Sequence, residues 1–148
     1  MADEIQQIQQ VVSRYHRAIA EKDQKTAVGC IGPTYFRAGR MGKGGASDPT
    51  AWVAGDFSTP EGVRKSIARA FGSAKSVYAN SIEFLHTSVG KNAALVVTRE
   101  TGSGTGPKGQ TGSWKGVTNL WCMAKVRGRW KIVASLHHVG KGRVTAGA

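Results

Sequence analysis

Cysteine, acidic residues and long apolar runs are all scarce in this chain. Only Cys30 and Cys122 occur, far apart and in different expected elements, and neither has a CxxC partner. That excludes zinc and redox motifs and leaves two buried, reduced thiols as the expectation, in keeping with cytosolic cysteine usage. No apolar run approaches the ~20 residues needed to span a bilayer. The start, Met1-Ala2-Asp3-Glu4, is acidic and leads into a Gln-rich helix, the opposite of a secretory signal. The cytoplasm is therefore the expected compartment, with no membrane partner. No His/Asp/Glu spacing supports a metal, and no cofactor is expected. The stretch GSGTGPKG, residues 102–109, looks like a phosphate loop only on the surface. No helix follows it and the lysine–hydroxyl ending is missing, so it reads as a linker.

Nine Asp and Glu stand against 21 Lys and Arg, giving a formal charge of +12 and a pI near 10.2. Such a field attracts anions: nucleic acid, acidic lipid surfaces or small anionic ligands. The basic residues are dispersed, from Arg37, Arg40 and Lys43 through Arg64, Lys65 and Arg69 to Lys115, Arg127, Arg129, Lys131, Lys141 and Arg143. No run of five occurs and no aromatic–basic signature of an RNA-binding module appears, so no specific nucleic-acid binding is expected.

What is present fits one globular domain. A chain of 148 residues with 40% hydrophobic and 20% charged residues can bury a real core. Residues 3–21 carry Ile5, Ile8, Val11, Val12, Tyr15 and Ile19 at helical spacing. Asp23 can cap a second short helix, Gln24 to Ile31, which Gly32-Pro33 must end. Tyr35-Phe36-Arg37 reads as a short strand, residues 39–50 as a loop, and Trp52 to Phe57 as another strand. Ser58-Thr59-Pro60-Glu61 is a capping box opening a third helix to Phe71. Beyond it the hydrophobic period changes from 3.6 to 2, with strands expected at 76–88, 93–101, 112–125 and 130–139. Gly90-Lys91 and Arg127-Gly128 are their turns. Gly102 to Gln110 reads as a mobile connection. Residues 1–139 form the expected domain and 140–148 a flexible tail. Helices first and a meander later indicate α+β.

Several of these residues carry a resemblance. The first helix, EKD, a short helix ending at GCIGP, a capped third helix and GRWKIVASLHH on the last strand together resemble the nuclear transport factor 2-like superfamily, its SnoaL-like branch above all. The resemblance spans roughly residues 4–139. It implies a cone-shaped, curved antiparallel sheet wrapped around three helices of the N-terminal half, a pocket between them, and a homodimer. The superfamily includes ketosteroid isomerases, polyketide cyclases, dehydratases, epoxide hydrolases and non-catalytic association domains.

Turn positions assign faces. With Arg127-Gly128 at a tip, Lys125 pairs with Trp130, and one face carries Val117, Asn119, Trp121, Met123, Ile132, Ala134, Leu136 and His138. This bulkier face is aimed at the helices, with Asn119 opposite Leu136. The same exercise on Gly90-Lys91 puts Ile82, Phe84, His86, Leu95, Val97 and Arg99 on one face, and Glu83, Thr98 and Glu100 on a more solvated one. An inward Arg99 needs an internal carboxylate or a ligand anion, because an unpaired buried charge costs several kcal/mol or more. A rim position, or pairing with Glu100 or Asp56, is the plainer alternative.

Tyr15 is a phenol in the middle of a buried stripe. VVSRYHRAIAEKD resembles the first helix of the ketosteroid isomerases, which implies a tyrosine donating to a substrate oxyanion. The plainer reading is a core tyrosine bonded to a backbone carbonyl. The isomerases place a catalytic base about two dozen residues further on, where this chain reads Ala38-Gly39-Arg40, so isomerase chemistry of that kind is disfavoured. Asp56 in WVAGDF is a candidate base or Arg99 partner, against a plain turn carboxylate. His138 is a candidate acid or base, against a structural strand-end histidine. Trp52, Trp114 and Trp121 are core or rim material, of which Trp52 or Trp121 is a candidate ligand wall.

The expected function is cofactor-free acid–base chemistry on a small hydrophobic carbonyl- or epoxide-like substrate. Tyr15 and Asn119 would donate, Asp56 or His138 would move the proton, and Trp52, Arg99 and Trp121 would contact a hydrophobic or anionic molecule. The competing class is a non-catalytic ligand-binding or dimerising module.

Overall fold

The computed structural model describes residues 1–40, 52–57, 61, 62, 65, 68, 77–105, 109, 111–139 and 142–146. Helix α1 (Ala2–Glu21) buries Ile8, Val12, Tyr15 and Ala18, the expected stripe. Full burial of aliphatic side chains such as Ile8 and Val12 contributes about 1.5–3 kcal/mol each. Lys22 closes the helix in the left-handed conformation, its N–H donating to Ala18 and Ile19 carbonyls. Asp23 caps α2 (Gln24–Gly29) as expected, accepting from the Thr26 backbone N–H at 3.0 Å. The helix stops earlier than expected, because Gly32-Pro33 lies inside a strand instead of after a helix.

That strand is β1 (Ile31–Arg40), followed by β2 (Trp52–Phe57), β3 (Val77–Val89), β4 (Ala93–Thr105), β5 (Thr111–Val126), β6 (Arg129–His137) and β7 (Arg143–Ala146). The sheet order is β2-β1-β6-β5-β4-β3, with β7 paired to β5. All described pairings are antiparallel except β1 with β6, which run parallel. The fold is α+β, a curved sheet covered by helix, as expected. Helix α1 packs on β3 and β6. Its N-terminal turn is tied to the sheet by a Glu4–Lys125 ion pair, and the Lys125 ammonium lies 4.9 Å from the Trp130 ring centroid.

Residues 61, 62, 65 and 68 are helical, with Glu61 and Lys65 paired on the surface at 2.9 Å. The rest of the expected third helix, and most of the 39–50 loop, lie outside the described residues. Residues 102–105, expected in a mobile connection, extend β4. Residues 143–146, expected in a flexible tail, pair as β7 with residues 112–115. Cys30 is buried, but Cys122 is exposed on the outer side of β5, contrary to expectation.

Three bulges decide which side chains face the helix. Leu85 is the extra residue in β3, between the pairs Phe84–Thr98 and His86–Val97. Between Glu100–Val117 and Gly102–Trp114 the β5 side holds one more residue than β4, and Gly116 takes φ 60° there. Val133 is extra in β6, between Met123–Ile132 and Cys122–Ala134. Each extra residue reverses the alternation beyond it.

Candidate functional site

The covered face of the sheet carries six buried polar or charged residues: Thr98, Glu100, Asn119, Ser135, His137 and His138. Thr98, Glu100, Ser135 and His137, with Tyr15, His16 and Tyr35, form two groups beside Trp121, while Asn119 and His138 are bonded to each other.

The first group centres on Glu100. Unbroken alternation along β4 turns Ala94, Val96, Thr98 and Glu100 inward, and the Leu85 bulge in β3 brings Phe84 and Ile82 opposite Thr98 and Glu100. The Glu100 carboxylate accepts from His16 Nε2 at 3.1 Å, Asn80 Nδ2 at 2.8 Å and Thr98 Oγ1 at 2.6 Å. Thr98 Oγ1 accepts in turn from Trp121 Nε1 at 3.0 Å, and Asn80 Oδ1 from Trp114 Nε1 at 3.1 Å. Burial pushes the carboxyl upward, but the hydrogen bond and charge of His16, with the Thr98 and Asn80 donors, outweigh it and hold it at about 2. The other ring nitrogen of His16, Nδ1, donates to the Val12 carbonyl at 2.9 Å.

The second group is a chain of hydroxyls ending on an imidazole. The Tyr15 hydroxyl lies beside that of Tyr35, close enough for each phenol to shift the other's pKa. Tyr35 Oη lies 2.5 Å from Ser135 Oγ, and Ser135 Oγ lies 2.9 Å from His137 Nε2. Burial pushes both phenols up, so they stay protonated near neutral pH. Burial, then the positive charges of Arg37, His138 and His16, push His137 well below the usual 6.5, so it is neutral near neutral pH.

Trp121 separates the two groups, its ring centroid 4.9 Å from His16 and 5.0 Å from His137, both edge-on. The register explains the arrangement: Trp121 pairs with Ser135, so Ser135 and His137 share its face.

The expected site residues fall unevenly on this geometry. Tyr15 and Trp121 are at its centre. Asn119 is buried as expected, but Leu136 pairs with Leu120, and the Asn119 amide oxygen accepts the His138 backbone N–H at 2.7 Å. His138 is buried at φ 58°, which ends β6, and stacks on Trp114 at 5.9 Å between centroids. Ala134 and Leu136 do not share the inner face as expected, because the Val133 bulge puts Ser135 and His137 there.

Arg99 is a correction as well. It points outward and pairs with Glu83 at 3.2 Å, with more than half of each side chain exposed, because it alternates with the inward Thr98 and Glu100 and the Leu85 bulge sets Glu83 opposite it. Such a surface pair contributes little. Trp52 and Asp56 sit opposite Arg40 and Phe36 in the backbone register, while their side chains lie outside the described residues. His16, Tyr35, Glu100, Ser135 and His137 went unmarked in the sequence. His16 follows Tyr15 directly in the helix, and His137 precedes His138 in the final strand block, so both stood beside marked residues.

Among the described residues no group of three or more His, Cys, Asp or Glu is arranged to hold a metal ion. No described helix is long and apolar enough to cross a membrane.

The fold is similar to those of solved proteins named as ketosteroid isomerase-like and nuclear transport factor 2-like. A ketosteroid isomerase-like protein from Erwinia carotovora atroseptica superposes with TM-score 0.68 at 13% identity, over 93% of this chain and 96% of that one. A hexachlorocyclohexane dehydrochlorinase, LinA type 2, gives 0.65 at 9% identity over 99% and 90%. A Novosphingobium aromaticivorans protein named as a candidate aromatic ring hydroxylase gives 0.74 at 14% identity over 98% and 95%. At these identities the likeness establishes the fold alone. No family model and no curated protein matches the sequence.

Proposed function

We propose that the chain is a cofactor-independent acid–base enzyme of the SnoaL-like kind, acting on a small hydrophobic carbonyl- or epoxide-like molecule. The observation that carries this reading is the succession Tyr15, Tyr35, Ser135, His137 on the helix-covered face. A phenol is apolar along its ring and donates at its tip, which suits a substrate oxygen that gains negative charge. Each phenol carries one proton: that of Tyr35 is directed to Ser135 when Ser135 donates to His137, which leaves Tyr15 as the donor to a substrate oxygen. The neutral imidazole supplies the acceptor. A proton delivered to Tyr35 passes through Ser135 to His137 Nε2, each oxygen releasing its own proton as it takes one. The same path run backwards protonates a leaving oxygen. Buried titratable groups with displaced pKa values in one cluster are a mark of functional sites.

In this reading His138 is the neighbouring acid–base group, and Asp56, one residue along β2 from the partner of Arg37, remains a candidate base. Asn119 positions His138 through its backbone. Solved neighbours named as ketosteroid isomerase-like and as a hexachlorocyclohexane dehydrochlorinase support a small organic molecule as substrate. The reading includes a cytoplasmic homodimer without nucleic-acid or membrane partners; exposed Leu85 and Leu95 on the sheet suit contact with a second copy.

A non-catalytic binding module is the second reading. It is favoured by one observation: Glu100 already receives three internal donors and needs no ligand to satisfy it. A thermal-shift screen of hydrophobic ketones, epoxides and small organic acids separates the readings from no binding at all. Stabilising compounds whose effect shrinks in Tyr35→Phe, and which are then turned over, support the enzyme. Stabilisation without turnover supports the module, and a flat screen contradicts both.

A further inference from the structure

The two ring nitrogens of His16 both face acceptors. Nδ1 lies 2.9 Å from the Val12 carbonyl oxygen and Nε2 lies 3.1 Å from Glu100 Oε2. A carbonyl oxygen has no proton to give, so Nδ1 carries one. The carboxylate has Thr98 and Asn80 donating to its two oxygens as well, which is an arrangement for an ionised acid, so Nε2 carries the second. Both ring nitrogens of His16 thus have an acceptor to donate to, and neither lone pair is free to act as a base.

His137 is in the opposite state. Its ring is buried, and the charged or titratable groups facing it are Arg37 from β1, His16 from α1 and His138 from its own strand end. Its hydrogen-bonded partner is the Ser135 hydroxyl, behind which stand Tyr35 and Tyr15. No carboxylate is hydrogen-bonded to it among the described contacts; the Glu100 carboxylate is engaged by His16 on the other side of the indole. The rings run His16, Trp121, His137 with centroid separations of 4.9 and 5.0 Å and edge-to-face angles of 69° and 82°. A cation on one side of the indole disfavours a second on the other side, where little water intervenes to screen them.

We propose that His16, held as an imidazolium between the Val12 carbonyl and the Glu100 carboxylate, acts across Trp121 to keep His137 a neutral imidazole, whose free Nε2 lone pair ends the hydroxyl chain and takes its proton only transiently. The division of charge between the histidines stands on their hydrogen-bond partners and burial; the use of His137 as acceptor rests on the acid–base reading above. His16 is thus a positioning residue and not the base, although it is the histidine with the carboxylate partner.

The test is nitrogen-15 spectroscopy of the histidine side chains in the whole chain, assigned with single His→Gln variants. In the unsubstituted protein near neutral pH, His16 should show two protonated nitrogens and His137 one protonated and one bare nitrogen. In His16→Gln the titration of His137 should move upward, a change that a purely packing role for His16 would not produce. A bare nitrogen on His16, a doubly protonated His137 near neutral pH, or an unmoved His137 in His16→Gln would each overturn the proposal. If His16→Gln does not fold, the two signatures of the unsubstituted protein still decide. A catalytically silent protein with these signatures would refute the enzyme reading and leave the charge assignment standing.

Discussion

His16 Nε2 and Glu100 Oε2 meet at 3.1 Å, joining the first helix to the fourth strand across 84 positions of sequence. The contact ties helix to sheet at a buried carboxylate, so its loss should be felt first as stability. Removing one partner of a buried ion pair costs about 3–5 kcal/mol, since the other charge is left uncompensated. Glu100→Gln should lose about that much in urea unfolding. A loss below about 0.5 kcal/mol, the range of ordinary surface changes, would show that the pair does not hold in solution.

The same carboxylate predicts acid sensitivity. Its folded pKa of about 2 lies below the usual 4.5, so its contribution is fully present above 4.5 and disappears as pH falls through about 2. The difference corresponds to about 3 kcal/mol. Unfolding free energies measured across that window should fall by about that much more in the unsubstituted protein than in Glu100→Gln. Parallel pH curves would contradict it.

Tyr15→Phe keeps the ring that packs edge-on to Trp121 and removes the hydroxyl beside Tyr35. Stability should change by about 0.5–1.5 kcal/mol, the net value of an ordinary hydrogen bond. Turnover should fall further, by about 2.7–4 kcal/mol of transition-state stabilisation if the phenol serves as an oxyanion donor. Denaturation and steady-state rates on one ligand from the screen compare the two. A large stability loss with unchanged rates would make Tyr15 a core residue only.

Gly102 holds the Trp114–Asn80 contact open. A Cβ there would lie 2.3 Å from the Ala79 carbonyl oxygen, 2.7 Å from the Trp114 ring and 2.8 Å from Asn80 Oδ1. Gly102→Ala should therefore destabilise by about 1–3 kcal/mol, the usual cost of overpacking. It should also displace the indole that donates to Asn80, visible in tryptophan fluorescence. Neutral stability with an unchanged spectrum would contradict the close approach.

The larger elements were legible because their signals are local. The α1 stripe, the Asp23 cap and the Lys125–Trp130 pairing each follow from neighbours in sequence or from one tight turn. On β5 the inner residues Val117, Asn119, Trp121 and Met123 followed from the same turn. The site was less legible because bulges invert a period-2 reading. Leu85 brings Ile82 opposite Glu100 and Glu83 opposite Arg99, and Val133 exchanges Ala134 and Leu136 for Ser135 and His137. An extra residue leaves no signature in hydrophobic alternation when both faces carry valine, threonine and leucine. The parallel β1–β6 pairing is nonlocal, and with it the meeting of Tyr35 and Ser135, 100 positions apart.

The central claim is that the tyrosine–serine–histidine chain moves protons for a bound molecule. Exchange of solvent deuterium into the α-position of a ketone reports that transfer whatever the net reaction is. Ketones that stabilise the protein should be incubated with it in D2O and followed by proton NMR. The account predicts protein-dependent exchange for at least one of them, reduced about a hundredfold or more in Tyr15→Phe and abolished in His137→Gln. No exchange from any stabilising ketone, or exchange that both variants leave unchanged, would contradict it.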